Sequence, residues 1–292
     1  MAAGWLCRCP LAGQEGPALD EGEGAVMAEQ SAIEWTDATV NFWWGCTKVG
    51  PGCDGCYAEA WAKRTGHNVF GVGVERRWIK GALPALAKLN KGAAAFYKQH
   101  GRKRRVFMQS MSDLFDKEVP IEWLATAWGA IHACSDLDIQ IVTKRLPMIE
   151  KRLAAFADHE WASRWPKHAG LIATVVNQEE ADRDIPRLIE LKQKLGIPWI
   201  GLSMEPLLGP IVLRPEWLVH LNWVIIGGES GTGARFMQNE WAQPIVNQCQ
   251  AASVAVFVKQ LSSGGPKAIK DIEQFPEGLR VRQWPVVEER KG

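Results

Sequence analysis

The stretch Asn41 to Glu59, NFWWGCTKVGPGCDGCYAE, sets Cys46, Cys53 and Cys56 within eleven residues of one another, beside four aromatic side chains. The spacing is C-x6-C-x2-C, and Gly50, Pro51 and Gly52 fall inside the longer gap. Glycine and proline at those positions predict a turn-rich loop able to wrap a compact object. Three thiolates on one short loop suit a metal ion or an iron–sulfur cluster. Structural zinc closes four ligands in a tetrahedron. No fourth cysteine or histidine follows at finger-like spacing, and His67 stands eleven residues beyond Cys56 with no partner. The rest of the body holds only Cys134 and Cys249, so the concentration here argues against incidental thiols. A three-cysteine iron–sulfur centre is expected ahead of zinc.

Two segments, Asn41-Phe42-Trp43-Trp44-Gly45-Cys46 and Cys53-Asp54-Gly55-Cys56-Tyr57-Ala58, resemble the N-P-Y-x-G-C…C-x-x-C-Y-A signature of radical S-adenosylmethionine (SAM) enzymes related to spore photoproduct lyase. The first gap is six residues here, where the signature has three. The chain is more closely similar to a phage-associated family of radical-SAM-like three-cysteine proteins. That likeness runs through IEWTDATVNFWWGCTKVGPGCDGCYAE, QSMSDLF, IVTKR, SMEPLLGP and WVIIGGESG, from Ile33 to about Gln260. It implies a [4Fe–4S] cluster on Cys46, Cys53 and Cys56, with SAM chelated by the fourth iron. It further implies one-electron cleavage of SAM to methionine and a 5′-deoxyadenosyl radical, and an electron donor as partner. By analogy the substrate is nucleic acid or a nucleotide, in repair or modification. The longer gap and the absence of a G-G-E motif leave a second reading, a non-catalytic zinc or degenerate-cluster protein that binds nucleic acid or a partner.

At 292 residues the chain is long enough for one large α/β barrel domain. Hydrophobic residues make up 47% and the net charge is +1, which excludes a globally basic nucleic-acid binder and a disordered chain. No eighteen-residue apolar run occurs, so no membrane partner is expected and a cytoplasmic location is the default. Residues 1–30, rich in Gly, Ala and Glu, are expected to be a disordered extension, with Met27 a candidate initiator and Cys7 and Cys9 incidental. Residues 31–292 are read as a single domain, with a C-terminal extension from about 261 lying across the barrel.

Through that domain, short apolar runs alternate with helix-like segments, the pattern of βα units and a mostly parallel sheet. Strands are expected to end at Trp44 and to cover Val106–Gln109, Ile139–Val142, Leu171–Val176, Trp199–Ser203 and Trp223–Ile226, with a seventh at Val254–Val258. Apolar residues at three-to-four spacing predict helices over Glu122–Cys134, Pro147–Ala157, Glu179–Leu195 and Trp241–Ala251. The fold expected is α/β, a partial (β/α) barrel of six or seven mostly parallel strands. Right-handed crossovers then place every strand C-terminus on one face.

Polar groups recur at those ends, and in barrel-like folds that face carries the site. Ser110, Met111, Ser112 and Asp113 stand where the resemblance implies contacts to the amino-acid end of SAM; the alternative is helix capping. Asn177 is expected on the cofactor ribose or in a turn. Trp44 and Tyr57, flanking the cysteines, are expected to contact the cofactor. Lys144 and Arg145 are read as holding a carboxylate or phosphate, or as a surface pair at a helix start. Glu205 and Glu229 are read either as binding cofactor or substrate amines, or as charge partners of Lys144, Arg145 and Lys259. Gly227–Gly233 is glycine-rich but lacks G-K-[ST], so a phosphate loop is not indicated. Arg102–Arg105, with Arg76, Arg77 and Lys80, is a basic region read as a solvated face or as a nucleic-acid contact.

Overall fold

A computed structural model describes residues 28–156 and 164–286. Cys7, Cys9, Met27 and Ala157, on which expectations were placed, lie outside the described residues. Seven strands form one parallel sheet: β1 (Ala38–Val40), β4 (Arg105–Met108), β5 (Asp138–Thr143), β6 (Ala169–Thr174), β7 (Ile200–Met204), β8 (Trp223–Gly227) and β9 (Ala255–Gln260). They lie side by side in that order, so the sheet curls in one direction as a half-barrel with edges at β1 and β9.

One expected strand moves. The run ending at Trp44 is not in the sheet; Trp43–Trp44 (β2) pairs antiparallel with Arg77–Trp78 (β3), and the sheet begins one segment earlier, at β1. Helix α1 (Tyr57–Arg64) follows the cysteine loop, and α2 (Ala82–Lys91) and α3 (Ala93–His100) precede β4. Helices α4 (Ile121–Ala133), α5 (Ile149–Ala154), α6 (Gln178–Leu195), α7 (Pro215–Leu218) and α8 (Asn239–Ala251) link the later strands. Among the described residues no helix is long and apolar enough to cross a membrane.

Strands buried on both faces read as continuous apolar runs, because successive side chains serve opposite faces. Here alternate residues feed two separate cores. Val106, Ile139, Leu171, Leu202, Val224 and Val256 join the helices in the outer one. Phe107, Ile172, Ile225 and Phe257 point the other way and gather with Trp35, Trp199 and Trp223 inside the curl. Gly170 leaves the space that Trp199 fills, since a Cβ there would fall 2.0 Å from the indole.

Both edges are guarded. Ala28 and Thr39 exchange backbone hydrogen bonds at 2.9 and 3.2 Å beside β1. At the other edge the chain after β9 doubles back antiparallel, with Val258 N–H donating to Val281 O and Gln283 N–H to Val256 O, both at 2.9 Å. It ends with Trp284 against Phe257, its Nε1 donating to Trp35 O at 3.0 Å.

Candidate functional site: a cysteine loop across the barrel mouth

The stem of the cysteine loop is tied to the segment after β4. Asn41 Oδ1 accepts the Met111 N–H at 2.8 Å, Ser112 Oγ donates to Trp43 O at 3.1 Å, and Gly45 bridges to Ser112. The Tyr57 hydroxyl donates to Ser110 O. Gly45 has φ +105°, and an added Cβ would fall 2.1 Å from Val69 O, so only glycine fits. Beyond Cys46 the loop crosses the strand ends, and three of its closest approaches are made at glycines. A Cβ at Gly50 would meet Glu180 Oε1 at 2.7 Å, one at Gly52 would meet Val176 Cγ1 at 2.8 Å, and one at Gly55 would meet Glu229 Oε1 at 2.2 Å. The six residues between Cys46 and Cys53 carry the loop from the β1 side across to the end of β6, and Gly55 beyond them reaches the end of β8.

Between this loop and the inner face of the sheet lies an open cavity of about 220 Å³. Cys46, Cys53 and Cys56 all line it, as free, half-buried thiols. A larger cavity of about 660 Å³ adjoins it, sharing Gly55, Cys56, Tyr57, Met111 and Ser230 and reaching Lys48 and Lys63 near α1. Among the described residues no group of three or more His, Cys, Asp or Glu side chains is gathered closely enough to hold a single metal ion. One tetrahedral zinc would need every sulfur about 2.3 Å from it. The three thiols share one wall, and one thiolate for each of three irons is the donor set a [4Fe–4S] cluster would take. Burial, with Asp113 nearby, pushes the Cys46 thiol up to about 12 against the opposing pull of Arg145. Ligation of that sulfur therefore entails loss of its proton.

Most charges around the cavity are committed to the protein itself. The Asp113 carboxylate accepts from Thr143 Oγ1 at 2.9 Å, Lys144 N–H at 3.0 Å and Phe115 N–H at 2.9 Å. Arg145 donates to Thr47 O at 2.7 Å and to Cys46 Sγ at 3.5 Å, and lies 3.5 Å from Asp116. Asp116 in turn pairs with Arg76 at 2.9 Å, both side chains fully buried. Lys259 Nζ stands 2.8 Å from Glu205 Oε1, at an angle outside hydrogen-bond geometry. Glu229 is bound by Arg235, whose Nη2 lies at 2.7 Å, Nε at 3.0 Å and backbone N–H at 2.9 Å. Arg235 also reaches Asp54, between Cys53 and Gly55, at 3.6 Å. Of the three cations on the cavity wall, Lys144 alone has a side chain with no partner among the described residues.

The structure thus brings Tyr57, Ser110, Met111, Ser112, Asp113, Lys144, Arg145, Glu205 and Glu229 to the wall that carries the cysteines. Trp44 and Asn177 are not on that wall. Trp44 is buried against Trp61 and His67, with ring centroids at 4.7 and 4.8 Å. Asn177 Oδ1 accepts the Glu180 N–H at 2.9 Å and caps α6, so its amide oxygen serves the helix. The charge-partner reading holds for Glu205 with Lys259, while Glu229 takes Arg235 instead. The basic region is largely used internally. Arg76 is buried on Asp116, Arg102 grips Asp37 at 2.6 and 2.8 Å, and Arg104 and Arg105 stack on Phe96 and Trp284, each at 4.5 Å. Trp35, which the sequence offers with Trp43 and Trp44 as shielding the cysteine loop or lining the pocket, does line the cavity, and sequence reasoning did not single out Gln109, Thr174 and Ser203, which line it too. Their signal was the inward register of each strand, visible only once the two faces were assigned.

These features define a parallel half-barrel roofed at its C-terminal mouth by a three-cysteine loop. The chain belongs to the family described as "Protein of unknown function (DUF5131)", which matches residues 30–283. No curated protein matches it. Among solved structures it is similar to a spore photoproduct lyase double mutant with bound AdoMet and dinucleoside spore photoproduct, at 12% identity and a TM-score of 0.41, covering 82% of this chain and 70% of that one. Spore photoproduct lyase complexed with dinucleoside spore photoproduct gives 13% and 0.41, over 78% and 64% of the two chains. A single-residue mutant of the lyase gives 13% and 0.42, over 86% and 73%.

Proposed function

We propose that the chain is an iron–sulfur, SAM-dependent radical enzyme acting on nucleic acid or a nucleotide, in which Cys46, Cys53 and Cys56 hold a [4Fe–4S] cluster. The observation that carries this reading is the placement of three free thiols from one loop on a single cavity wall, at the C-terminal mouth of a parallel half-barrel. When bound, the cluster and SAM supply one-electron cleavage and hydrogen abstraction. The chain's own residues bind, orient and exclude water. Lys144, the uncommitted cation, offers its ammonium to a carboxylate. Tyr57 and the Ser110–Met111–Ser112 segment form the rim beside Cys56, where the amino-acid end of the cofactor would lie. The Glu205–Lys259 pair faces the cavity as a neutral unit that can hold or move a proton. Arg145, Glu229 and Asp113 act as positioning residues, because their polar atoms are spent on the loop, on Arg235 and on β5. Trp44 and Asn177 support the wall from behind. The inner tryptophan cluster closes the curl from below and limits access of water. The nucleic-acid component rests on the sequence resemblance, and the basic region lends it little, being bound up in internal pairs.

The test is anaerobic reconstitution followed by iron and sulfide analysis and EPR of the reduced protein. The expected result is about four irons and four sulfides per chain, a signal that shifts when SAM is added, and loss of the signal in Cys53→Ala. Stoichiometric zinc, or a cluster indifferent to SAM, overturns the proposal.

A further inference from the structure

Arg145 is held so that its charge faces the first cysteine. Its side chain is 5% exposed, and its one carboxylate within 4 Å among the described residues, Asp116, lies at 3.5 Å without a hydrogen bond. Asp116 is committed to Arg76, which meets it at 2.9 Å through both Nε and Nη2, and both of those side chains are fully buried. Asp113 acts on Arg145 too, but its oxygens already accept from Thr143, Lys144 N–H and Phe115 N–H. Arg145 Nη2 donates to Thr47 O at 2.7 Å and to Cys46 Sγ at 3.5 Å. Thr47 is gripped a second time, because its hydroxyl accepts from Arg76 Nη2 at 2.5 Å. Two buried arginines thus clamp the residue beside Cys46, and the clamp fixes the sulfur against one guanidinium. Among the described residues Cys46 alone of the three loop thiols takes a hydrogen bond from a charged side chain.

A buried cation is costly unless an anion answers it, and a hydrogen bond with one charged partner is about twice as strong as a neutral one. An anionic sulfur at Cys46 completes the pairing that Asp116 leaves half made. The potential of an iron–sulfur cluster is set by net charge, by hydrogen bonds to its sulfurs and by exposure. Each electron gained adds negative charge, which a guanidinium at the ligand sulfur stabilises. We propose that Arg145 sets the reduction potential of a cluster held at Cys46, its fixed charge and N–H···S hydrogen bond favouring the reduced state. The inference rests on the cluster reading above and makes Arg145 a positioning residue that acts through Cys46, not one that holds a substrate carboxylate or phosphate.

The experiment is an anaerobic redox titration of the reconstituted full chain, without SAM, followed by the EPR signal of the reduced cluster. Arg145→Gln should shift the one-electron equilibrium about tenfold toward the oxidised cluster, a midpoint about 59 mV more negative. Arg145→Lys keeps the charge but loses the planar fork that reaches Thr47 O and Cys46 Sγ together, so its midpoint should fall between that of Arg145→Gln and wild type. The midpoint is read only on clusters that assemble, whereas a merely structural role would lower the amount of cluster and leave its potential alone. If Arg145→Gln takes up no iron, the lysine variant decides, a midpoint more negative than wild type supporting the assignment and an equal one overturning it. If neither variant loads, Arg145 serves assembly and the assignment fails. A wild-type chain that binds no iron overturns the cluster reading and this inference with it. A loaded wild type whose midpoint is unchanged, or less negative, in Arg145→Gln overturns this inference alone.

Discussion

Glu229 takes three hydrogen bonds from one residue, Arg235, and its carboxylate lies where a side chain on Gly55 would have to go. The hydrogen bonds from Arg235 hold its carboxyl below the ordinary value of 4.5, so the unfolded chain takes up the proton first as pH falls. Its contribution to stability is therefore present above that ordinary value and is lost as pH drops through the lowered native one. Glu229→Gln keeps an acceptor for Arg235 but cannot titrate. Its urea midpoint should lie below wild type at neutral pH, and the gap should narrow as pH falls below 4.5. A gap that stays constant as the pH is lowered through that range would show that the charge is not what matters. That Glu229 and Lys144 would reach the barrel mouth was legible, because each follows an apolar run that had to be a strand. Their partners were not. Arg235 lies in a loop with no periodicity to place it, and Asp116 pairs with an arginine forty residues away that reads, along the sequence, as part of a basic face. Pairing of buried charges depends on which loops meet over the sheet, and that information is tertiary.

At the scale of the element, β6 shows how a strand sequence encodes its neighbours. In AGLIAT the glycine interrupts an otherwise apolar run, and glycine inside a strand marks a close approach. The approaching group is the Trp199 indole, entering just ahead of β7. Gly170→Ala places a methyl inside that ring and should cost about 1–3 kcal/mol, the usual scale of overpacking, read as a lower urea midpoint with an unchanged slope. A midpoint within error of wild type would mean that the inner tryptophan cluster is loosely packed. The later strands and helices were legible for the same reason as this glycine: long apolar runs and three-to-four spacing leave few alternatives. The expected Glu179–Leu195 and Trp241–Ala251 helices begin one and two residues earlier, at Gln178 and Asn239. The region from Cys56 to Arg105 was read less well. Its helices α1 to α3 are short, and the NFWW segment is more apolar than the three-residue β1 that actually enters the sheet. Composition favoured the wrong neighbour there because the Trp43–Trp44 pair is buried by β3 and α1 rather than by other sheet strands.

For the whole molecule, an open half-barrel poses a problem that a closed barrel does not, since its two edge strands and its inner face need cover from elsewhere in the chain. The segment after β9 meets both needs at once. It lies antiparallel to β9 and then sets Trp284 between Phe257 on one edge strand and Trp35 ahead of the other, while Trp223 Nε1 donates to Gln283 O at 2.8 Å. Arg105 at the start of β4 closes over the Trp284 ring at 4.5 Å. The last strand, the first strand and the inner core are thus joined through one side chain. The same cluster forms the floor beneath the cavity that the cysteine loop roofs, so the geometry of the site depends on a residue far from it. Trp284→Ala should lower stability by about 2–3 kcal/mol, at or just under the usual range for a core aromatic because Trp284 is only partly buried. Urea denaturation followed by far-UV circular dichroism gives the midpoint. A Trp284→Ala protein as stable as wild type would mean that the inner core holds its shape without the C-terminal segment and that the half-barrel is closed by its own strands alone.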